Sequence, residues 1–287
     1  MNFSHFIITQ FNLRNFPLSH NNEYTRWVEW TRSRIDIFRT FCLPSVLNQS
    51  CNSFAWLLFF DEATPEEFSD FLDEMRSHDC ISICYSNGLE GFDSTYPGEI
   101  LKRTERGKDW VITTRLDNDD CLHKNAVEII QENFVEKHKY LISLASGYIL
   151  NTEDLTLSHY FYPMSPFISL VESVSTEISG VFERGHTKWD ALRLFITKEL
   201  WYEYFERAKR KSRFILKKPY WIQLVHGKNV SNSFYRGLPV TRPKDLADFS
   251  LTLRTRPQPV LSIRKYVHYV TWKRYFKSLI IRALINK

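Results

Sequence analysis

The stretch Trp110-Val111-Ile112-Thr113-Thr114-Arg115-Leu116-Asp117-Asn118-Asp119-Asp120 decides how the chain is read. Its first half is apolar and β-branched, as expected of a buried strand. Its second half places three carboxylates within four residues directly after that strand. In open α/β sheets the ligand crevice lies beyond the carboxyl ends of the strands. Alternate side chains of an extended segment point to one side, so Asp117 and Asp119 are expected to share one cation. Hard carboxylate oxygens suit Mg²⁺ or Mn²⁺, and such an ion can bridge a diphosphate and offset the charge on a leaving group. The competing reading is an acidic turn that caps the next helix, which Asp119 or Asp120 could do alone. Clustered acids repel by roughly 1 kcal/mol per exposed pair at about 4 Å. A metal site explains that cost and a cap does not.

Working outward, the flanking segments alternate between two periods. His5 to Phe11 is a short β-rich run, and Phe54 to Phe60 is continuously apolar, as in a strand buried on both faces. Between them, Ile35, Phe38, Cys42 and Val46 recur at helical spacing, which predicts a helix over Arg32 to Leu47. After Asp61, Thr64 reads as an N-cap, Pro65 as the first helical position and Glu67 as a capping-box partner, with the helix running to about Ser77. Ile81 to Tyr85 is a third strand. A helix is expected from about Lys124 to His138, and Tyr140 to Ile149 is expected to be one strand. This alternation predicts a mostly parallel α/β sheet with helices on both faces. Residues 151–190 read as loop-rich, Ala191 to about Lys211 as a long helix, 219–260 as irregular, and 261–287 as a basic helix.

Composition excludes several classes. The 287 residues are 43% hydrophobic and 25% charged, with 9 Gly and 11 Pro, so the chain is neither collagen-like nor disordered. Aromatics at 15% are enough to build a core and still line a pocket. No apolar run approaches the roughly 20 residues of a membrane span, and no basic region precedes an apolar one at the start, so no signal peptide is expected. The five cysteines are irregularly spaced. Cys80 and Cys84 fall on one face of a strand about 13 Å apart, so reduced thiols in a cytoplasmic protein are expected rather than a metal site. The net charge of +5 is −11 over residues 1–200 and +16 over 201–287. Such a basic third suggests an anionic partner, or a solvated basic helix on an acidic body.

An Asp-x-Asp alone is a common pattern. Here, however, Arg115-Leu-Asp-Asn-Asp-Asp120 is followed about 100 residues later by Trp221-Ile-Gln-Leu-Val-His226-Gly-Lys-Asn229-Val-Ser-Asn232. Together they resemble a bacterial rhamnosyltransferase family of GT-A-type glycosyltransferases. Phe11-Asn12, Arg39-x-Phe41-Cys-Leu-Pro44-Ser45-Val46 and Phe60-Asp61 also fit, and the resemblance covers about residues 1–245. It implies a GT-A-like (Rossmann-like) domain over 1–250, with a nucleotide-sugar half over 1–150 and an acceptor half over 151–250. A basic aromatic helical tail would follow over 251–287.

The same resemblance implies residue roles. Asp117 and Asp119 match the metal-binding acids, and His226 matches a histidine that completes the metal or diphosphate site. Asp61 matches an acid that contacts the nucleoside, and Thr9 lies where the nucleobase docks. Arg103 and Arg115 could meet phosphate as forks, with Asn118 also on the donor side. The bland alternatives are that Asp61 caps a helix, Arg115 pairs with its acidic neighbours, Arg103 lies on a solvated face and His226 is structural. For the base that takes the acceptor proton, Asp190 is the first candidate and His186 the second, although Asp190 could simply cap the helix from Ala191. Trp189 and Trp221 could stack on sugar, or could be core residues.

The implied reaction moves a sugar from a nucleoside-diphosphate donor, of the deoxythymidine diphosphate rhamnose type, to a hydroxyl of a surface polysaccharide or lipid-linked glycan. In the tail, Arg264, Lys265, Lys273, Arg274, Lys277, Arg282 and Lys287 interleave with Tyr266, Tyr269, Trp272, Tyr275 and Phe276. That pattern suggests peripheral contact with anionic lipid at the inner membrane face. Packing on the body or an oligomer contact would explain it equally. The rival classes are a nucleic-acid-binding module built on the basic third, disfavoured by the acidic body, and a metal-dependent phosphohydrolase.

Overall fold

The structure, a computed structural model, describes residues 1–153, 155–161, 165–183, 212–215, 218–227, 238–240 and 246–251. The expected helix from Ala191, the candidates His186, Trp189 and Asp190, the motif residues Asn229 and Asn232, and the tail from 252 lie outside the described residues.

Strands β1 (Phe3–Gln10), β2 (Ala55–Asp61), β3 (Ile81–Ser86) and β4 (Trp110–Arg115) form a parallel block in the order β3-β2-β1-β4. Five further strands along the chain are β5 (Cys121–Leu122), β6 (Tyr140–Leu144), β7 (Ser146–Asn151), β8 (Leu157–Phe161) and β9 (Ile168–Ser173). They are followed by β10 (Ser212–Ile215), β11 (Trp221–Val225) and β12 (Leu238–Pro239). Antiparallel β9 joins β4 to β6, and β10 closes that edge to give seven strands. A second sheet has the order β12-β8-β7-β11-β5.

Strand β2 shows why helices cover both faces. Trp56, Leu58 and Phe60 pack in one core layer with Phe38 and Phe71. Leu57 and Phe59 pack in the other with Phe92 and Tyr96. A period of two with apolar residues on both sides demands cover on both sides. Helices α1 (Asn21–Ile37), α2 (Leu43–Leu47) and α3 (Ser69–Arg76) supply some of it, with α4 (Gly88–Arg103) and α5 (Ala126–Glu132). This is the mostly parallel α/β sheet flanked by helices that the sequence leads one to expect.

Several boundaries differ from the expectation. The helix read from Arg32 begins at Asn21 and continues through a π-helical turn, Phe38–Cys42, into α2. Before Arg32 this helix buries only Trp27 and Thr31, of which only the tryptophan is apolar, so the hydrophobic period does not reveal its first turns. Thr64 is not an N-cap. Its hydroxyl donates to the Asp61 carbonyl at 2.6 Å, and Pro65 is extended, leading into a short 3₁₀ turn before α3. Helix α4 is invisible to propensity because it contains three glycines and Pro97, yet it buries Phe92, Tyr96 and Ile100 at helical spacing. Helix α5 ends at Glu132, short of His138. Residues 151–183 contain β8 and β9 rather than only loop, and β11 is regular within the segment read as irregular.

The run Tyr140 to Ile149 is two strands in different sheets, not one. The Ala145 N–H donates to Ile215 in the first sheet, while Ser146 accepts from Tyr220 beside the second. Gly147 lets the Trp221 indole lie against the backbone, where any Cβ would collide with it.

Cys84 lies on β3 and Cys80 immediately precedes it, and all five cysteines are free thiols. Among the described residues, no helix is long and apolar enough to cross a membrane.

A buried polar chain crosses the sheet: His5 bonds Thr114 at 2.8 Å, and Thr114 bonds Ser169 at 2.7 Å. Burial pushes the His5 imidazole down to about 3, so the folded chain keeps it neutral. The unfolded chain takes up that proton near pH 6.5, so stability is expected to fall with pH between about 6.5 and 3, by up to roughly 1.4 kcal/mol per pH unit. Urea unfolding of His5→Gln should show a flatter slope between pH 6 and 4.5, a window above most carboxylate titrations. An unchanged slope would refute the assignment.

Candidate active site

Strand β4 ends at Arg115, and its pairing with β1 reaches the Leu116 N–H, which donates to Ile8 at 3.1 Å. The chain then turns. The Asp120 N–H donates to the Asp117 carbonyl at 3.2 Å. The acids therefore do not alternate along an extended segment, and Asp117 and Asp119 meet different partners.

Asp117 is 40% exposed and takes the Arg115 fork, with Nε to Oδ1 at 3.1 Å and Nη2 to Oδ2 at 3.3 Å. The Arg115 guanidinium also lies over the Phe182 ring, 5.0 Å from its centroid. Asn118 is buried and donates to the Phe11 carbonyl at 2.6 Å, which ties the acid turn to the end of β1. Asp119 points inward. Its Oδ2 accepts from Arg34 of α1 and lies 3.1 Å from His226 Nε2, just beyond β11. The Arg34 Nη1 is in turn 3.4 Å from the same His226 nitrogen, and the guanidinium covers Trp30, 4.9 Å from its ring. Asp120 is buried and accepts the Leu224 N–H at 3.1 Å, pinning β11 to the turn.

Environment separates the two inner acids. Burial would raise Asp119, but the His226 contact and the Arg34 guanidinium outweigh it and hold the carboxyl below its ordinary value. Burial, then Asp119 and Asp117, push Asp120 well above the ordinary carboxylate value. The same turn thus lowers one inner carboxyl and raises its neighbour.

Sequence reasoning missed Arg34. The available signal was its position, since it lies on the α1 face that buries Trp27, Thr31 and Ile35. An arginine where the helical period assigns core needs a buried anion, and Asp119 provides it.

Four expected site residues are placed differently from their implied roles. Asp61, at the end of β2, is fully buried, and its oxygens accept four N–H groups. They are Arg14 N at 3.1 Å, Arg14 Nε at 3.0 Å, Ala63 N at 2.9 Å and Gly88 N at 3.1 Å. All four lone-pair sites of the carboxylate are used, so Asp61 organises the loops after β1, β2 and β3 and has none left for a nucleoside. Gly88 makes its approach at φ +68°, where a Cβ would lie 2.9 Å from the Arg14 carbonyl. Thr9 is buried inside the sheet, where its hydroxyl accepts the Trp56 indole N–H at 2.9 Å. Arg103 ends α4, paired with Glu99. The nearby Glu105 N–H donates to Ser4 at the opening of β1, so Arg103 sits at the opposite end of the sheet from the acids. Trp221 is buried, stacks on Phe167 at 4.6 Å and donates to the Leu144 carbonyl at 2.6 Å. It is a core residue with no face for sugar.

The structure thus brings Asp119, His226, Asn118, Asp117 and Arg115 to one place and adds Arg34. Among the described residues, no three His, Cys, Asp or Glu side chains converge as a ready metal cage. The Asp119–His226 pair supplies two donors.

The parallel block thus carries the acid turn at the carboxyl end of β4, anchored to the end of β1. The profile of the family described as "Putative rhamnosyl transferase" matches residues 3–191, and the chain belongs to that family. The match stops short of the residue 245 to which the sequence resemblance extends, and leaves out the His226 segment. No curated protein matches the chain. Among solved structures, TarS of S. aureus is 11% identical with a TM-score of 0.35, covering 78% of this chain and 37% of its own. The chain thus spans little more than a third of TarS. A 4-diphosphocytidyl-2C-methyl-D-erythritol synthase from Anaerococcus prevotii is 14% identical with a TM-score of 0.30, covering 78% of this chain and 87% of its own.

Proposed function

We propose that this glycosyltransferase moves rhamnose from a nucleoside-diphosphate donor to a hydroxyl of a surface polysaccharide or lipid-linked glycan, with Mg²⁺ or Mn²⁺ in the donor site. The observation that carries the metal is the 3.1 Å separation of Asp119 Oδ2 and His226 Nε2. That is about the spacing of two neighbouring ligands on a cation with bonds of roughly 2.1 Å. Hard cations of this kind take one or two protein ligands and fill the remaining positions with phosphate and water, so the pair fits without a third protein ligand. Once bound, the ion would offset charge on the leaving diphosphate.

The protein's own groups have distinct tasks. Asn118 fixes the acid turn to β1. The Asp120 acceptor holds β11, and with it the approach of His226. His226 must present an unprotonated Nε2 to act as a ligand. Arg115, beside the partly exposed Asp117, is the fork proposed to meet a phosphate. Asp190 is the proposed base that takes the acceptor proton, with His186 as second choice, and Trp189 the proposed sugar platform. The +16 of residues 201–287 would hold the enzyme at an anionic inner membrane face.

The test is thermal unfolding with a panel of nucleoside diphosphates, with and without Mn²⁺. One nucleotide at about 100 times its dissociation constant should add roughly 2.7 kcal/mol, and only with metal. Absence of any shift in folded protein would sink the donor site. A salt-sensitive shift with DNA would move the weight to the basic third.

A further inference from the structure

We propose that Arg34 is the resident cation of this site. It lies against both Asp119 and His226 where the divalent ion would bind, and it gives way only when the ion arrives together with a diphosphate. This rests on the metal-assisted reading above.

Arg34 is 5% exposed, and its Nη1 contacts both residues offered as ligands, Asp119 Oδ2 and His226 Nε2. A cation cannot reach that pair while Nη1 is there. Yet the guanidinium is incompletely held. Among the described residues its hydrogen bonds run from Nη1, and Nε is buried with no acceptor. Arginine carries five donors in a planar fork that matches phosphate oxygens. This side chain therefore has donors to spare, and a diphosphate would use them better than the protein does.

Charge decides the order of events. A divalent ion alone would add two positive charges to a site already holding Arg34 and Arg115. A divalent ion with the two negative charges of a sugar-nucleotide diphosphate adds none. In that second case the displaced guanidinium exchanges Asp119 for phosphate and stays paired. Bare metal binding is opposed and donor-coupled metal binding is not. The ion-pair partner Asp119 is released to the metal in the same exchange.

The experiment measures Mn²⁺ binding by electron paramagnetic resonance to the full chain, with and without deoxythymidine diphosphate. The proteins are wild type, Arg34→Met and Arg34→Lys, each checked for folding by near-ultraviolet circular dichroism. Wild type should bind Mn²⁺ weakly alone and roughly tenfold or more tightly with the diphosphate, since one unit charge at close range is worth at least that much. Arg34→Met should gain roughly tenfold or more in affinity for Mn²⁺ alone and lose most of the coupling. Arg34→Lys, which keeps the charge, should not gain. If wild type binds Mn²⁺ equally with and without the diphosphate, the exchange is refuted without recourse to any variant. If Arg34→Met gains nothing while wild type binds with the diphosphate, the role of Arg34 is refuted and the metal-assisted reading stands. If no protein binds Mn²⁺ under any condition, both are refuted together.

Discussion

Asp119→Ala should destabilise the folded chain by about 3–5 kcal/mol and abolish stabilisation by a nucleoside diphosphate with Mn²⁺. The stability loss follows from what would be left behind. Arg34 and Asp119 have side-chain exposures of only 6% and 10%, so each neutralises a charge the other could not bury alone. Removing one partner of such a pair leaves an uncompensated buried charge, which is the costly case. Removing both with shape-matched apolar groups is much less costly. The double variant Arg34→Met/Asp119→Leu should therefore recover much of the stability without recovering ligand binding. Urea unfolding of the four proteins in a double-mutant cycle gives the coupling directly. Simple additivity would show that the ion pair contributes nothing. The acid side has a defined sign. The Asp119 carboxyl is held below its ordinary value, so its contribution is present above the ordinary carboxylate range. That contribution is lost as pH falls through the lowered folded value. The Asp119→Ala protein should lack that loss.

Asp61→Asn is the second large effect, and it is expected to be structural before it is functional. The fully buried carboxylate accepts four N–H groups from three separate segments. An amide in its place can accept at one oxygen and must point a donor at the other two N–H groups. Hydrogen bonds to charged groups contribute about 1.5–3 kcal/mol each and are not additive. A loss of about 3 kcal/mol or more is expected in urea unfolding, with hydrogen exchange rising at Arg14, Ala63 and Gly88. A loss under about 1 kcal/mol would reopen the direct nucleoside contact implied by the family resemblance. If nucleotide affinity fell while stability stayed unchanged, that contact would be favoured outright.

How far the sequence was legible depends on which length scale set each feature. The parallel block was readable because β1, β2 and β4 are apolar on both faces, a local signal that survives any detail of packing. The acid turn was readable as chemistry, but the sharing of one cation by Asp117 and Asp119 was inferred from extended geometry. A single hydrogen bond, Asp120 N–H to Asp117, replaces that geometry with a turn. Helix α4 was unreadable because its three glycines and Pro97 lower its intrinsic propensity, while Phe92 and Tyr96 packing under β2 and β3 restores it. Trp221 was legible as a motif residue but not as a buried one. Its place depends on Gly147, far away in sequence, having no side chain.

Sequence alone, then, carries the class: an α/β sheet, its four parallel strands within residues 1–116, and an acidic cluster at a strand's carboxyl end. Those follow from periodicity and composition, which act within a few residues. Only the tertiary structure decided the partners. It assigned Asp61 to Arg14 and Gly88, Asp117 to Arg115, and Asp119 to Arg34 and His226. The physical reason is that a buried charge takes its partner from whatever packs against it, here from helices and strands 85 and 107 positions away in the chain. No local pattern carries that information.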